Sequence, residues 1–253
     1  MTADEHLQAI LAREAVNTGA YSPVRSVQTT IQPFIQQWAG NLLLGVSPSG
    51  SFAKGTANKS GTDIDLFISL SEDTKETLGE VYESLFKKMS GLGYNPKRQN
   101  VSINVKVNGY DVDLVPGKRQ NAFSTDHSLF RRRANTWTKT NVTTHISTVQ
   151  QSWRLNEIRV IKLWRNQKGL DFPSFYLELT VINALAGQFF GTLSGDVRKV
   201  FEYLHDSFPN ARVVDPANTN NVISDDLTNA EKERIKTAAG AALVAPYWEG
   251  IVK

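Results

Sequence analysis

Two short segments, Thr62-Asp63-Ile64-Asp65-Leu66 and Tyr110-Asp111-Val112-Asp113-Leu114, each set a pair of aspartates at i and i+2 in a run of β-branched and apolar residues. Aspartate is a poor strand residue, while Ile, Val and Leu around it favour strands. Such a run folds as a strand only with the acids on one face and the aliphatics on the other. Each acid pair is then about 7 Å apart along its strand, at ~3.3 Å per residue. Burying unpartnered carboxylates is too costly, so the chain is constrained to a sheet with one aliphatic face and one acid-bearing face. An isolated Asp-x-Asp is ordinarily no more than the polar face of an amphipathic strand. Two of them, with the turn Gly50-Ser51 ahead of the first, argue instead that three or four carboxylates converge.

The Asn108-Gly109 dipeptide joins residues 101–107 to 110–115 as a hairpin, because both positions accept the positive φ that a two-residue turn needs. Residues 42–46 and 63–70 read as further strands. Helical spacing marks residues 5–16, a second helix from Ser22-Pro23 to Gly40 that Pro33 should kink or interrupt, and residues 73–89. From about Ser147 the pattern turns helical, over 148–168, 173–190, 195–206 and 227–243. The expected fold class is α+β: a mixed β-sheet core with N-terminal helices over 1–146, followed by helices over 147–253. A length of 253 residues accommodates either one large domain or two small ones.

Composition narrows the chemistry. The chain has no cysteine, which excludes disulfide scaffolds, thiolate zinc sites, iron–sulfur clusters and thiol nucleophiles. His6, His127, His145 and His205 show no ligand spacing. The N-terminus is acidic where a signal peptide is basic, and no apolar run approaches the roughly 20 residues that span a bilayer. A cytoplasmic protein without membrane attachment is expected. Net charge is only +3, yet residues 118–168 hold eleven basic residues against Asp126 and Glu157. This basic segment reads either as a solvated face or as a groove for polyanions, triphosphates or an RNA strand.

Carboxylates alone suit hard Mg²⁺ (or Mn²⁺), which keeps waters and takes phosphate oxygens in its remaining positions. Phosphoryl transfer is the chemistry such a group of acids serves. The glycine lets backbone amides approach phosphate, and Ser51 adds a hydroxyl.

Gly50-Ser51, eleven residues, Asp63-x-Asp65 and a later strand aspartate together resemble the DNA polymerase beta-like nucleotidyltransferase superfamily. VDLVP at 112–116, IKLWRNQ at 161–167 followed by PSFYLELTVINAL at 173–185, and VDPANTNNV at 214–222 are similar to one branch of it. That branch contains the oligoadenylate synthetases, the bacterial and animal cyclic GMP-AMP synthase-like enzymes (CD-NTases) and the archaeal CCA-adding enzymes. The resemblance implies a mixed β-sheet nucleotidyltransferase core over 1–146 packed on a C-terminal helical domain over 147–253, with the active site in the cleft between them. It implies that Asp63, Asp65 and Asp113 are the catalytic, metal-binding acids, and that Gly50 and Ser51 bind the triphosphate. It further implies that Lys162 and Ser174 contact phosphate and that Phe175 stacks on the base where relatives have a tyrosine, with Tyr176 as a substitute. Lys162 as a surface cation and Phe175 as core packing are the plain alternatives.

The activity so implied is transfer of a nucleoside monophosphate from an NTP, ATP among the substrates, to a ribose hydroxyl with release of pyrophosphate. The product expected first is a cyclic or short linear oligonucleotide second messenger, of the kind used in antiviral signalling. RNA tailing or CCA addition, with 118–168 as an RNA groove, is the alternative. The sequence leaves base choice, linkage, ring size and oligomeric state open.

Overall fold

The structure is a computed structural model that describes residues 1–19, 21–61 and 63–253. Ala20, in the loop before the second expected helix, and Thr62, which precedes the first acid, lie outside the described residues. Contacts divide the chain into two compact units, Val16–Gly55 with Thr62–Ile146, and Met1–Ala15 with Thr56–Gly61 and Ser147–Lys253. The sequence suggests a single cut at 146. Two pieces from before that point instead cluster with the C-terminal half: the first helix, α1 (Ala3–Arg13), and the segment Thr56–Gly61. For α1 the cause is its apolar stripe, since Leu7, Ile10 and Leu11 are buried in the core formed by the C-terminal helices.

The first unit runs α2 (Pro23–Ala39), β1 (Leu43–Pro48), α3 (Gly50–Lys54), β2 (Ile64–Leu70) and α4 (Leu78–Gly91). It continues with β3 (Lys97–Arg98), β4 (Ile103–Val107), β5 (Tyr110–Arg119), β6 (His127–Arg131) and β7 (Thr136–Thr140). The seven strands form one mixed sheet in the order β1-β2-β5-β4-β3, with β6 pairing β5 and β7 pairing β6. β2 and β5 run parallel, and the other neighbours run antiparallel. The alternation read from the sequence holds: Ile64, Leu66, Ile68, Val105, Val112 and Leu114 are buried on one face. They pack against Val24, Val27, Ile31 and Ile35 of α2 and Val81, Tyr82, Leu85 and Met89 of α4. Asp65 and Asp113 lie on the other face of the pleat.

Two details differ from the sequence reading. α2 passes unbroken through Pro33. Pro33 and Thr29, whose carbonyl loses its helical partner there, are both exposed, so the missing bond falls on the solvent side of the helix. α4 begins at Leu78 rather than at 73, because Thr77 and Glu80 form a capping box, whereas Ser71, Asp73 and Thr74 close a turn on themselves.

α5 (Val142–Gln150) crosses from the first unit to the second. The second unit continues with α6 (Leu155–Gln167), α7 (Ser174–Ala184), α8 (Leu193–Asp206), the short pair β8 (Val214–Asp215) and β9 (Asn218–Val222), and α9 (Asn229–Val244). The expected helix over 148–168 is broken at 151–154, where Trp153 adopts φ +56° and exposes its indole. Trp164, Tyr176, Phe201 and Phe208 form the centre of the helical core, all at most 1% exposed. Among the described residues no helix is long and apolar enough to cross a membrane.

Candidate active site

The parallel pairing of β2 with β5 places Asp65 directly beside Asp113 in register. Neighbouring strands are about 4.8 Å apart, so the two side chains leave the sheet together. Asp63 stands just before β2 and is exposed. Partial burial of its carboxyl, and after it the negative charges of Asp113 and Asp111, push its pKa above the ordinary aspartate value. Asp63 therefore feels the charge of Asp113 and Asp111, while Asp65 is joined to Asp113 by the strand register. Asp111 lies at the hairpin end, 3.9 Å from Lys106, its register partner.

Asp113 is held by a shell of neutral donors. Gln99 Nε2 and Asn104 Nδ2 donate to its Oδ1 at 3.1 and 2.9 Å, and Ser102 Oγ donates to its Oδ2 at 3.2 Å. None of these three was named from the sequence. The signal for Asn104 was nevertheless present, since a two-residue Asn108-Gly109 turn pairs 107 with 110 and hence 104 with 113, as observed.

The Gly50-Ser51 turn opens α3 at the end of β1. Ser49 N–H donates to the Asp65 carbonyl at 2.8 Å, tying the turn to the first acid strand. Gly50 has φ +58°, and a Cβ there would fall 1.8 Å from Asp65 Oδ2. Only glycine allows this approach of backbone to carboxylate.

Among the described residues no three acids or histidines are gathered tightly enough to enclose an ion by protein ligands alone. Mg²⁺ needs no such cage, since it is commonly bound through one or two carboxylates, water and substrate phosphates. The oxygen-only donor set and the in-register Asp65 and Asp113 fit that mode of binding.

The remaining expected residues lie in the helical unit. Lys162 of α6 is 5% exposed, and its Nζ is 2.6 Å from Oε1 of the fully buried Glu178 on α7. Thr56 Oγ1 accepts from Lys162 at 2.9 Å and donates to Glu178 at 2.8 Å. The rest of the Thr56–Gly61 segment is fastened in the same unit. Asn58 and Arg159 exchange hydrogen bonds, and Glu14 accepts from the N–H of Lys59 and of Ser60. Ser174 is exposed at the start of α7 and accepts from Arg165 Nη1 at 3.0 Å. Burial lowers the Arg165 pKa. Phe175 is half-buried against the core. Tyr176 is no substitute for it on a base: its ring is fully buried between Phe172 and Phe208, and its hydroxyl has no partner among the described residues.

A family model described as "Nucleotidyltransferase domain" matches residues 36–134, the stretch holding Gly50, Ser51 and all three acids. Residues 36–134 are thus those of a nucleotidyltransferase domain, and the chain has the mixed α+β fold of the CD-NTases. Among curated proteins it is 22% identical over 281 residues to cyclic AMP-AMP-AMP synthase of Escherichia coli (strain MS 115-1), covering 90% of this chain and 88% of that one. The solved structure of E. coli MS115-1 CdnC with ATP superposes with a TM-score of 0.75 at 20% identity, over 98% of this chain and 94% of that one. The Cid1 poly(U) polymerase shares the fold at a TM-score of 0.68 and 13% identity, over 95% and 92%.

Proposed function

We propose that this nucleotidyltransferase joins NTPs, ATP among them, into a cyclic or short linear oligonucleotide second messenger, as a CD-NTase acting in antiviral defence. The observation that carries the phosphoryl chemistry is the in-register pair Asp65 and Asp113 with Asp63 beside it. Likeness to a cyclic AMP-AMP-AMP synthase along nearly the whole chain supports the product. The ribose hydroxyl oxygen of an acceptor nucleotide attacks the α-phosphorus of the donor, the bond to pyrophosphate breaks, and the hydroxyl proton leaves to Asp113 or water. Asp63, Asp65 and Asp113 would hold Mg²⁺ or Mn²⁺, which supplies charge neutralisation to the triphosphate. Asp113, fixed by Gln99, Ser102 and Asn104, orients the hydroxyl. Gly50 and Ser51 take the donor phosphates through backbone N–H groups and the Ser51 hydroxyl.

Ser174 and Phe175, at the start of α7, serve as nucleotide contacts in this reading. Lys162, enclosed by Glu178 and Thr56, acts on the nucleotide indirectly by anchoring the Thr56–Gly61 segment that joins the phosphate turn to Asp63. The likeness to Cid1 poly(U) polymerase favours a second reading, addition of nucleotides to an RNA 3′ end.

Incubating the protein with the four labelled NTPs and Mg²⁺ or Mn²⁺ separates the two. A dialysable di- or trinucleotide formed without RNA supports the first, phosphatase-resistant if cyclic and phosphatase-sensitive if linear. Label that appears only on added RNA, at its 3′ end, overturns it in favour of the second.

A further inference from the structure

The basic segment 118–168 resolves into two populations. Lys118 donates to the Thr74 carbonyl, Arg119 pairs with Glu72, and Lys139 pairs with Asp126. Arg154 pairs with Asp196, Arg159 bonds Asn58, Lys162 pairs with Glu178, Arg165 donates to the Phe172 carbonyl and Lys168 to that of Gly250. These eight are spent on holding the fold. The other three are consecutive: Arg131 ends β6, and Arg132 and Arg133, both exposed, open the turn to β7. The nearby acid Glu83 is already gripped by Arg98, through Nε and Nη2 at 3.0 and 2.7 Å.

This turn is bonded to the loop that orients Asp113. Arg132 N–H donates to the Asn100 carbonyl at 2.8 Å, Arg133 N–H to Asn100 Oδ1 at 3.1 Å, and Arg132 Nε to the Gln99 carbonyl at 3.0 Å. Gln99 in turn donates its side-chain amide to Asp113. The loop is closed underneath by Tyr82, whose hydroxyl lies 2.8 Å from the Gln99 carbonyl and 2.9 Å from that of Ser102. Two hydrogen bonds therefore separate an exposed guanidinium from the acid that orients the acceptor hydroxyl.

We propose that the turn formed by Arg131, Arg132 and Arg133 binds the phosphates of the acceptor nucleotide or growing chain, and that Arg132 is a positioning residue for Asp113 through Gln99. The inference rests on the reading of Asp113 given under Proposed function. A guanidinium carries five N–H donors in a rigid fork, so Arg132 can keep Nε on Gln99 while its terminal nitrogens take a phosphate. Binding there lowers the mobility of the 99–102 loop and with it the carboxylate of Asp113. An acceptor bearing a 5′-triphosphate or a phosphodiester presents the required charge, and the donor triphosphate has its own site at Gly50 and Ser51.

The test separates binding from turnover. The probe is a 3′-fluorescein triadenylate carrying a 5′-triphosphate, followed by anisotropy, with the 5′-hydroxyl trimer and inorganic tripolyphosphate as competitors. Arg131→Gln/Arg133→Gln should weaken probe binding at least tenfold and flatten its salt dependence. Competition by tripolyphosphate alone assigns the site to the triphosphate, and competition by the 5′-hydroxyl trimer assigns it to the phosphodiesters. Gln99→Leu leaves the backbone carbonyl for Arg132, so probe affinity should stay within twofold of wild type while kcat falls at least tenfold at unchanged KM for the donor. Equal probe affinity in wild type and Arg131→Gln/Arg133→Gln overturns the site, and unchanged kcat in Gln99→Leu overturns the coupling. Asp113→Asn, inactive in any phosphoryl-transfer reading, should still bind the probe as wild type does. A wild type that binds through the arginines yet turns over no NTP therefore refutes the proposed function rather than the site.

Discussion

Lys162 and Glu178 form a buried ion pair, Nζ to Oε1 2.6 Å, on which Thr56 closes a three-residue cluster. Removing one partner of such a pair strands the other charge in a low-dielectric core, a loss of ~3–5 kcal/mol, whereas replacing both with apolar residues is often neutral. Lys162→Met alone should therefore unfold at much lower urea, and Lys162→Met/Glu178→Leu should regain most of the difference. If Lys162 acts by anchoring, the double variant binds ATP with Ca²⁺ as tightly as wild type in calorimetry while its kcat drops. A tenfold weaker affinity would instead put the lysine on the triphosphate.

Asp63→Asn, Asp65→Asn and Asp113→Asn each remove charge with little change of volume. Turnover should fall by at least about a thousandfold, corresponding to ~4 kcal/mol of transition-state stabilisation, with circular dichroism unchanged. A tenth of wild-type pyrophosphate release in both Asp63→Asn and Asp65→Asn would refute the assignment.

Gly50→Ala meets two obstacles, a positive φ and the Asp65 carboxylate 1.8 Å from the new Cβ. The backbone conformation alone costs about 1 kcal/mol for an L residue. The larger effect should be on catalysis, because relief of the clash displaces Asp65. We expect at least a hundredfold loss of kcat with a modest fall in Tm, while Ser51→Ala, which loses one neutral hydrogen bond worth about 1 kcal/mol, should show roughly fivefold weaker NTP use. Similar activity of Gly50→Ala and wild type would show that the close approach is dispensable.

The raised pKa of Asp63 also predicts a pH effect with a definite sign. A carboxyl whose folded pKa lies above its unfolded value favours the protonated native state. Its contribution is full below the unfolded carboxylate range and is lost as pH rises through the elevated folded value. In metal-free protein near neutral pH, Asp63→Asn should thus raise Tm, and the gain should vanish in acid below the carboxylate range. Mg²⁺ should raise the Tm of wild type more than that of the variant. Thermal melts across pH with and without Mg²⁺ check this, and a variant less stable than wild type at neutral pH without metal would contradict it.

The acid strands, the Asn108-Gly109 hairpin and the helical second half were legible because each rests on local chemistry: alternation of period two, turn residues, and helical spacing. β6 and β7 were not, since SLFRRRANTWTKT mixes charge and aromatics without clean alternation and Trp137 faces solvent. The shell around Asp113 was half legible. Turn arithmetic puts Asn104 opposite Asp113, but Gln99 and Ser102 arrive by a loop whose path only tertiary bonds fix. Lys162 stood out by motif as a phosphate contact. Its partner Glu178, sixteen residues on, gave no sign in an otherwise apolar helix that it was the counter-charge.

The segment Thr56–Gly61 lies between the phosphate turn and the first acid, yet its contacts cluster with α1 and the helices after residue 147. As the chain leaves the ribosome, the turn and Asp63 emerge long before Arg159, Lys162 and Glu178, which fasten the stretch connecting them. Domains ordinarily fold in the order in which they are made, and here that order is interrupted. The sheet can assemble by residue 146, whereas Thr56 and Asn58, in the loop leading into its first acid, meet their partners 101 to 122 residues further along the chain than themselves. The nascent chain thus completes the sheet that carries its acids before the loop between the phosphate turn and Asp63 meets Arg159, Lys162 and Glu178.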